Sequence, residues 1–109
     1  MKRLLYISGP YTAPTHIEVL LNIDRAKAKI LYLYKKGYIP VCPHTMSSFM
    51  GGGLCKDPVK DYRAWMEIDL AILERCDGIF MLKGWKKSKG AKEEHTLAIQ
   101  LGLTIEYEK

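Results

Sequence analysis

The sequence predicts a small doubly wound α/β domain, a flavodoxin-like or Rossmann-like parallel sheet of about four strands with helices on both faces. Three observations carry that expectation. Short apolar, β-rich runs alternate with stretches whose apolar residues recur every three or four positions, in the order β-α-β-α-β-α-β. Each pair of successive strands is separated by a helix, which calls for parallel pairing through right-handed crossovers. Finally, 109 residues, 48% apolar and 27% charged, suffice for one core and not for two, so residues 1–109 read as a single domain.

Leu4 to Ser8 is the first strand, closed by Gly9-Pro10. Thr15-His16-Ile17-Glu18 has the spacing of a capping box, in which the threonine hydroxyl accepts from a first-turn amide and the glutamate reaches back. A helix therefore starts there. Val19, Ile23, Ala26, Ile30 and Leu33 carry it for about five turns as one stripe, and Lys35-Lys36-Gly37 supplies cations and a stop. Tyr38 to Cys42 is the second strand, ended by Pro43. Residues 44–57, with Gly51-Gly52-Gly53 and little periodicity, read as a mobile loop of a length that is usually functional. Asp57-Pro58 has the cap-then-proline order that opens a second helix, from about Val59 or Asp61 to Arg75. Gly78 to Leu82 is the third strand. Ser88 or Gly90 opens a third helix ending near Leu101-Gly102, and Leu103 to Tyr107 is the last strand.

Seventeen Lys and Arg against twelve Asp and Glu give a formal charge of +5, but the excess is local. Lys83, Lys86, Lys87, Lys89 and Lys92 fall within ten residues, beside a Ser-x-Gly turn. Such a cluster suits a solvated face or a small phosphorylated ligand as well as a polymer, and no nucleic acid is expected as partner. Three cysteines, an odd number, make no disulfide framework and suit a reducing compartment. No apolar run approaches the ~20 residues that span a bilayer, and the apolar start is too short for a signal peptide. The expectation is a cytoplasmic protein without a membrane partner.

In a sheet of this kind ligands bind beyond the carboxyl ends of the strands, near the point where strand order reverses. Ser8-Gly9-Pro10-Tyr11, Cys42-Pro43-His44 and Gly84-Trp85 through Gly90 should meet there. The third of these opens a helix, where free amides and the helix dipole attract anions. Glu94 lies in the first turns of that helix, so its carboxylate is expected to be biased toward the ionised form that a nucleophile needs. Asp69 sits at the edge of the apolar stripe containing Leu70 and Leu73, where partial desolvation would raise its pKa and suit it to give a proton. Two carboxylates from different helices facing one cleft could break a glycosidic bond. Each residue also has a plainer reading, Glu94 as a helix-dipole partner and Asp69 as an exposed helix residue.

These residues carry a resemblance. Leu5-Tyr6-Ile7-Ser8-Gly9-Pro10, Asn22-x-x-Arg25-Ala26, Gly37-Tyr38-x-Pro40-x-x-Pro43-His44, Asp69-Leu70-x-x-Leu73-x-x-Cys76-Asp77 and Gly84-Trp85-x-x-Ser88-x-Gly90-Ala91-x-x-Glu94 together resemble the nucleoside 2-deoxyribosyltransferase superfamily. They look closest to its short phage and bacterial branch and are similar to the 2'-deoxynucleoside 5'-monophosphate N-glycosidases. The resemblance implies a flavodoxin-like sheet, a homodimer or higher homo-oligomer, no metal or organic cofactor, and cleavage of the base-sugar bond of a nucleoside or nucleotide. Carried over by position, Glu94 is the nucleophile, Asp69 assists the leaving base and Tyr6 places a hydroxyl near the glutamate. Ser8, Gly9 and Pro10 lie beneath the sugar. Ser88, with Gly90 beside it, stands where the transferases carry an acid and the nucleotide hydrolases a serine, which favours a 5'-monophosphate over a free nucleoside.

Other candidates rest on position alone. His44 either touches ligand or caps a loop, and Trp85 either stacks on a base or packs in the core, whereas Trp65 reads as core or interface. His95 should point away from Glu94 and be structural. Cys42-x-His44 with Cys55 lacks the paired spacing of a zinc site.

Overall fold

The computed structural model describes residues 2–47 and 54–109. Its elements are β1 (Leu4–Ser8), α1 (His16–Lys35), β2 (Ile39–Val41), a short α2 (Pro43–Ser47), α3 (Pro58–Leu73), β3 (Gly78–Met81), α4 (Lys89–Gln100) and β4 (Thr104–Tyr107). A single 3-10 turn, Trp85–Lys87, leads into α4.

The helix starts follow from their caps. Thr15 and Glu18 make the reciprocal box at 3.2 and 3.4 Å. The Asp57 carboxylate accepts from the amides of Val59 and Lys60, with Pro58 in the first position where no amide is needed. The Ser88 hydroxyl accepts from the Ala91 amide. Gly37 and Gly102, at φ 99° and 68°, stop α1 and α4 in the left-handed conformation that glycine adopts without strain.

All four strands are parallel, in the order β2-β1-β3-β4. The chain moves outward from β1 to β2, then crosses back to β3 and on to β4, so right-handed crossovers put α1 on one face and α3 and α4 on the other. Side-chain alternation matches. Leu5, Ile7, Phe80 and Leu82 pack with Ala26 and Leu33 of α1, while Tyr6, Ile79 and Met81 pack with Leu73, Ala91 and Ala98 of the other layer. β2 is an edge strand and tolerates Pro40 there, because a missing amide costs nothing on the unpaired side.

Polar residues tie the layers. On α1, Asn22 donates to the Tyr11 carbonyl and Arg25 to the Lys83 carbonyl, which fixes the segments after β1 and β3 from behind. At the other end of the sheet the Asp77 carboxylate accepts from the Leu4 amide at 2.8 Å. Gly9 allows a close approach: a Cβ there would lie 2.7 Å from the Leu82 side chain.

The structure corrects one element. The loop expected from residue 44 begins instead as α2, whose five residues are too few to display a helical period in sequence. The glycine run and the rest of 48–53 lie outside the described residues. Leu54 and Cys55 are held by their amides to the Asp61 carboxylate, at 2.6 and 3.0 Å. Cys42, Cys55 and Cys76 are free thiols. Among the described residues no helix is long and apolar enough to cross a membrane.

Candidate active site

A cleft of about 540 Å³ opens where the segments after β1 and β2 face α3 and α4. It lies beside the β1–β3 boundary, where the strand order reverses, as expected of a doubly wound sheet. Its floor is built by period two. Tyr6 and Ser8 share the face of β1 that looks toward α4, and one side chain of that helix receives both. The Tyr6 hydroxyl donates to Glu94 Oε2 and the Ser8 hydroxyl to Glu94 Oε1, each at 2.6 Å. All three residues are buried.

Burial is the largest influence on Glu94 and pushes its carboxyl up to about 7; the two hydroxyl donors pull it down, and the charge of Asp69 pushes it up again. The expected bias from the helix terminus is therefore corrected. Glu94 is the sixth residue of α4, beyond the first turn over which the dipole acts, and its balance is set by desolvation against Tyr6 and Ser8. Burial likewise raises Asp69 to about 6, in the direction expected of it. Tyr6 is raised by burial and by Glu94, so its phenol stays a proton donor.

α3 supplies the facing wall through Pro58, Asp61, Tyr62, Trp65, Met66 and Asp69. Their spacing, i, i+3, i+4, i+7, i+8 and i+11, is one face of a helix. That periodicity was the available signal for Asp61, Tyr62 and Met66, which reasoning from the sequence did not single out. Trp65, read as core or interface, lines the cleft. Tyr62 donates to Glu93 at 2.9 Å, Arg63 pairs with the same carboxylate at 3.1 Å, and burial with Glu93 raises Tyr62 to about 12. Glu93 is thus engaged on the wall and Glu94 on the floor.

α2 and the segment after β1 close one end with Pro43, His44, Gly9 and Tyr11. His44 is 6% exposed, and its Nε2 lies 2.9 Å from the Pro10 carbonyl, which only accepts, so Nε2 carries the hydrogen. Burial lowers its pKa, which favours the neutral imidazole, against the opposing pull of the Pro10 and Gly9 backbone. Nδ1 is a buried acceptor with no partner among the described residues. Ser88, Gly90 and Ala91 form the opposite end, where α4 begins. Gly90 lets the wall approach, since a Cβ there would meet the Met66 sulfur at 3.2 Å.

Of the residues singled out from the sequence, Tyr6, Gly9, His44, Asp69, Ser88, Gly90 and Glu94 all line this cleft. Three others are placed differently. Ser8 is turned onto Glu94 beneath the floor, and Pro10 contributes its carbonyl to His44. Trp85 is not on the cleft: its indole lies over His95 at 4.2 Å between centroids, and His95 Nε2 meets the Tyr107 hydroxyl at 2.7 Å. The 3-10 turn after Gly84 carries the indole toward β4, which gives Trp85 a packing role and leaves His95 structural, as expected. The described residues lining the cleft include no lysine or arginine. Lys89 and Lys92 lie on the outer side of α4 beside Glu93 and Thr96, with the Lys89 ammonium 4.9 Å from the centre of the Tyr62 ring.

The family model described as a domain of unknown function, DUF4406, matches residues 3–107, and the chain belongs to that family. No curated protein matches it.

Proposed function

We propose that this member of the DUF4406 family is an N-glycosidase that cleaves the base-sugar bond of a deoxynucleoside 5'-monophosphate. The observation that carries the reading is one buried glutamate, gripped at both oxygens by Tyr6 and Ser8, sharing a cleft with a second carboxyl of raised pKa. Fixed hydroxyl donors orient a carboxylate for attack, and a desolvated carboxyl holds a proton to give away.

In the proposed reaction an ionised Glu94 oxygen bonds to the anomeric carbon as the carbon–nitrogen bond breaks. The bonding pair leaves with the base, and the Asp69 proton goes to the base nitrogen. Water then adds to the anomeric carbon, loses a proton to the Asp69 carboxylate, and releases Glu94 with the free sugar phosphate. The aromatic and thioether wall of Tyr62, Trp65 and Met66 offers flat apolar surface to a base. Support for the phosphate comes from the α4 terminus: the Ser88 hydroxyl proton and the first-turn amides other than that of Ala91, which Ser88 caps, are donors at the cleft rim.

One observation favours a second reading, deoxyribosyl transfer between free nucleosides. Among the described residues the cleft is lined by Asp61, Asp69 and Glu94 and by no lysine or arginine, so from these residues a phosphate dianion would depend on Ser88 and backbone amides. The deciding experiment is a panel of nucleosides and their 5'-monophosphates scored for free base by chromatography, with and without an acceptor base. Monophosphate cleavage without acceptor supports hydrolysis. Base release only from nucleosides with acceptor supports transfer, and ligand binding with no base release makes the protein a nucleotide-binding module.

A homodimer or higher homo-oligomer in the cytoplasm completes the proposal. Ile17, Leu21 and Leu31 lie along the outer side of α1 at 70, 56 and 57% exposure, an apolar surface suited to a second copy. Sedimentation equilibrium measures the assembly.

A further inference from the structure

Ser8 has a position that a merely buried serine would not require. It is the last residue of the inner strand β1, paired with Met81 of β3, and its carbonyl accepts from the Leu82 amide at 2.8 Å. Its backbone is therefore fixed by the sheet and independent of its hydroxyl. The side chain is 1% exposed and does not line the cleft, yet its hydroxyl lies 2.6 Å from Glu94 Oε1. Tyr6, which does line the cleft, takes the other oxygen. The two donors approach one carboxylate from residues two apart on a single strand face, a geometry that period two makes rigid.

We propose that Ser8 is a positioning residue, which holds Glu94 Oε1 from the sheet side so that the carboxylate is presented to the cleft with both oxygens fixed. It acts through Glu94 and touches no substrate. Its value lies in what surrounds the glutamate. Asp69 and Tyr62 face it from α3, Glu93 precedes it on α4, Tyr6 lies beneath it, and the Cys76 thiol stands near Tyr6; each is acidic or neutral. His44, on the same cleft, is pushed toward its neutral form by burial. With no lysine or arginine among the described residues lining that cleft, hydroxyl donation is what opposes burial and pulls the Glu94 carboxyl back toward its charged form. One hydroxyl satisfies one oxygen. Ser8 supplies the second.

The proposal rests on the glycosidase reading only for its effect on rate; its physical content is tested without turnover. In protein labelled with carbon-13 at glutamate carboxyls, the Glu94 resonance, assigned by its loss in Glu94→Gln, is titrated in wild type, Ser8→Ala and Ser8→Thr, with thermal unfolding as a check on folding. Removing a donor to the charged form should raise the Glu94 midpoint in Ser8→Ala by about one pH unit, and the threonine hydroxyl should return it. If Ser8→Thr is too bulky to fold, Ser8→Cys, with a weaker donor of similar size, should fall between. Where base release is measurable, the acidic limb of kcat/KM should move upward with the midpoint while KM changes little. An unmoved midpoint in folded Ser8→Ala overturns the proposal. A moved midpoint in a protein that releases no base upholds the positioning role and overturns the glycosidase reading instead.

Discussion

Tyr6 and Glu94 are 88 positions apart in the chain and 2.6 Å apart in space, phenol oxygen to carboxylate Oε2. The bond joins an inner strand to the helix on one face of the sheet, and burial raises the phenol far beyond the carboxyl, so the phenol keeps its proton whenever Glu94 is ionised. Tyr6→Phe keeps the ring that packs with Leu73 and Ile79 and removes only the donor. A charge-assisted hydrogen bond of about 1.5 to 3 kcal/mol corresponds to roughly one to two powers of ten in rate. Steady-state base release should fall by that factor with substrate affinity nearly unchanged; an unaltered kcat would remove Tyr6 from the reaction.

The paired carboxyls predict a bell-shaped pH profile. With Asp69 at about 6 and Glu94 at about 7, the pair carries one proton between those values, mostly on Glu94, and the reactive form is the minority one in which that proton sits on Asp69. Below that range a second proton neutralises the nucleophile, and above it none is left for the leaving base. In Asp69→Asn the alkaline limb should vanish, and the reduced activity should rise with pH through the titration of Glu94 alone. A variant that keeps the alkaline limb would place the acid elsewhere.

The same burial has a consequence for stability. Glu94 lies above its ordinary 4.5 in the folded chain, so the fold binds its proton more tightly than the unfolded chain does. The associated stabilisation is complete below about 4.5 and is lost as pH rises through about 7. Glu94→Gln removes this dependence. Urea unfolding should show the variant gaining about 3 kcal/mol relative to wild type between pH 4 and pH 8. A difference independent of pH would mean that Glu94 is not desolvated.

Ser88 separates the substrate classes. Its hydroxyl caps α4 at the Ala91 amide, and aspartate caps as well as serine, so Ser88→Asp preserves the helix while placing an anion at the rim. Calorimetric titration should show a loss of at least about tenfold in affinity for 5'-monophosphates and little for the parent nucleosides. Equal loss for both would take phosphate away from this end of the cleft.

The legible parts of the fold were those written in local chemistry. Thr15-x-x-Glu18, Asp57-Pro58 and Ser88 each carry their own cap, and β1 and β3 announce themselves as short continuous apolar runs, buried on both faces of the sheet. α2 was hidden because five residues have no period to read. For the site, the pairing of Asp69 with Glu94 was suggested by resemblance and located by topology. The role of Ser8 was not accessible, because its partner is 86 positions away and only the sheet determines which face it takes. The choice between base and core for Trp85 was open for a similar reason: a left-handed Gly84, at φ 87°, opens a 3-10 turn that carries the indole onto His95, which decides for packing.

The most direct test compares Glu94→Gln with Glu93→Gln in base release from deoxynucleoside 5'-monophosphates, with ligand binding measured in parallel. Glu94 occupies the floor between Tyr6 and Ser8, whereas Glu93 is held on the wall by Tyr62 and Arg63. Glu94→Gln should lower turnover by at least about a hundredfold while still binding ligand, and Glu93→Gln should lower it only a few-fold. Equal losses in the two variants, or no base released by the wild-type protein from any nucleotide or nucleoside, would contradict the assignment of Glu94 as a glycosidase nucleophile.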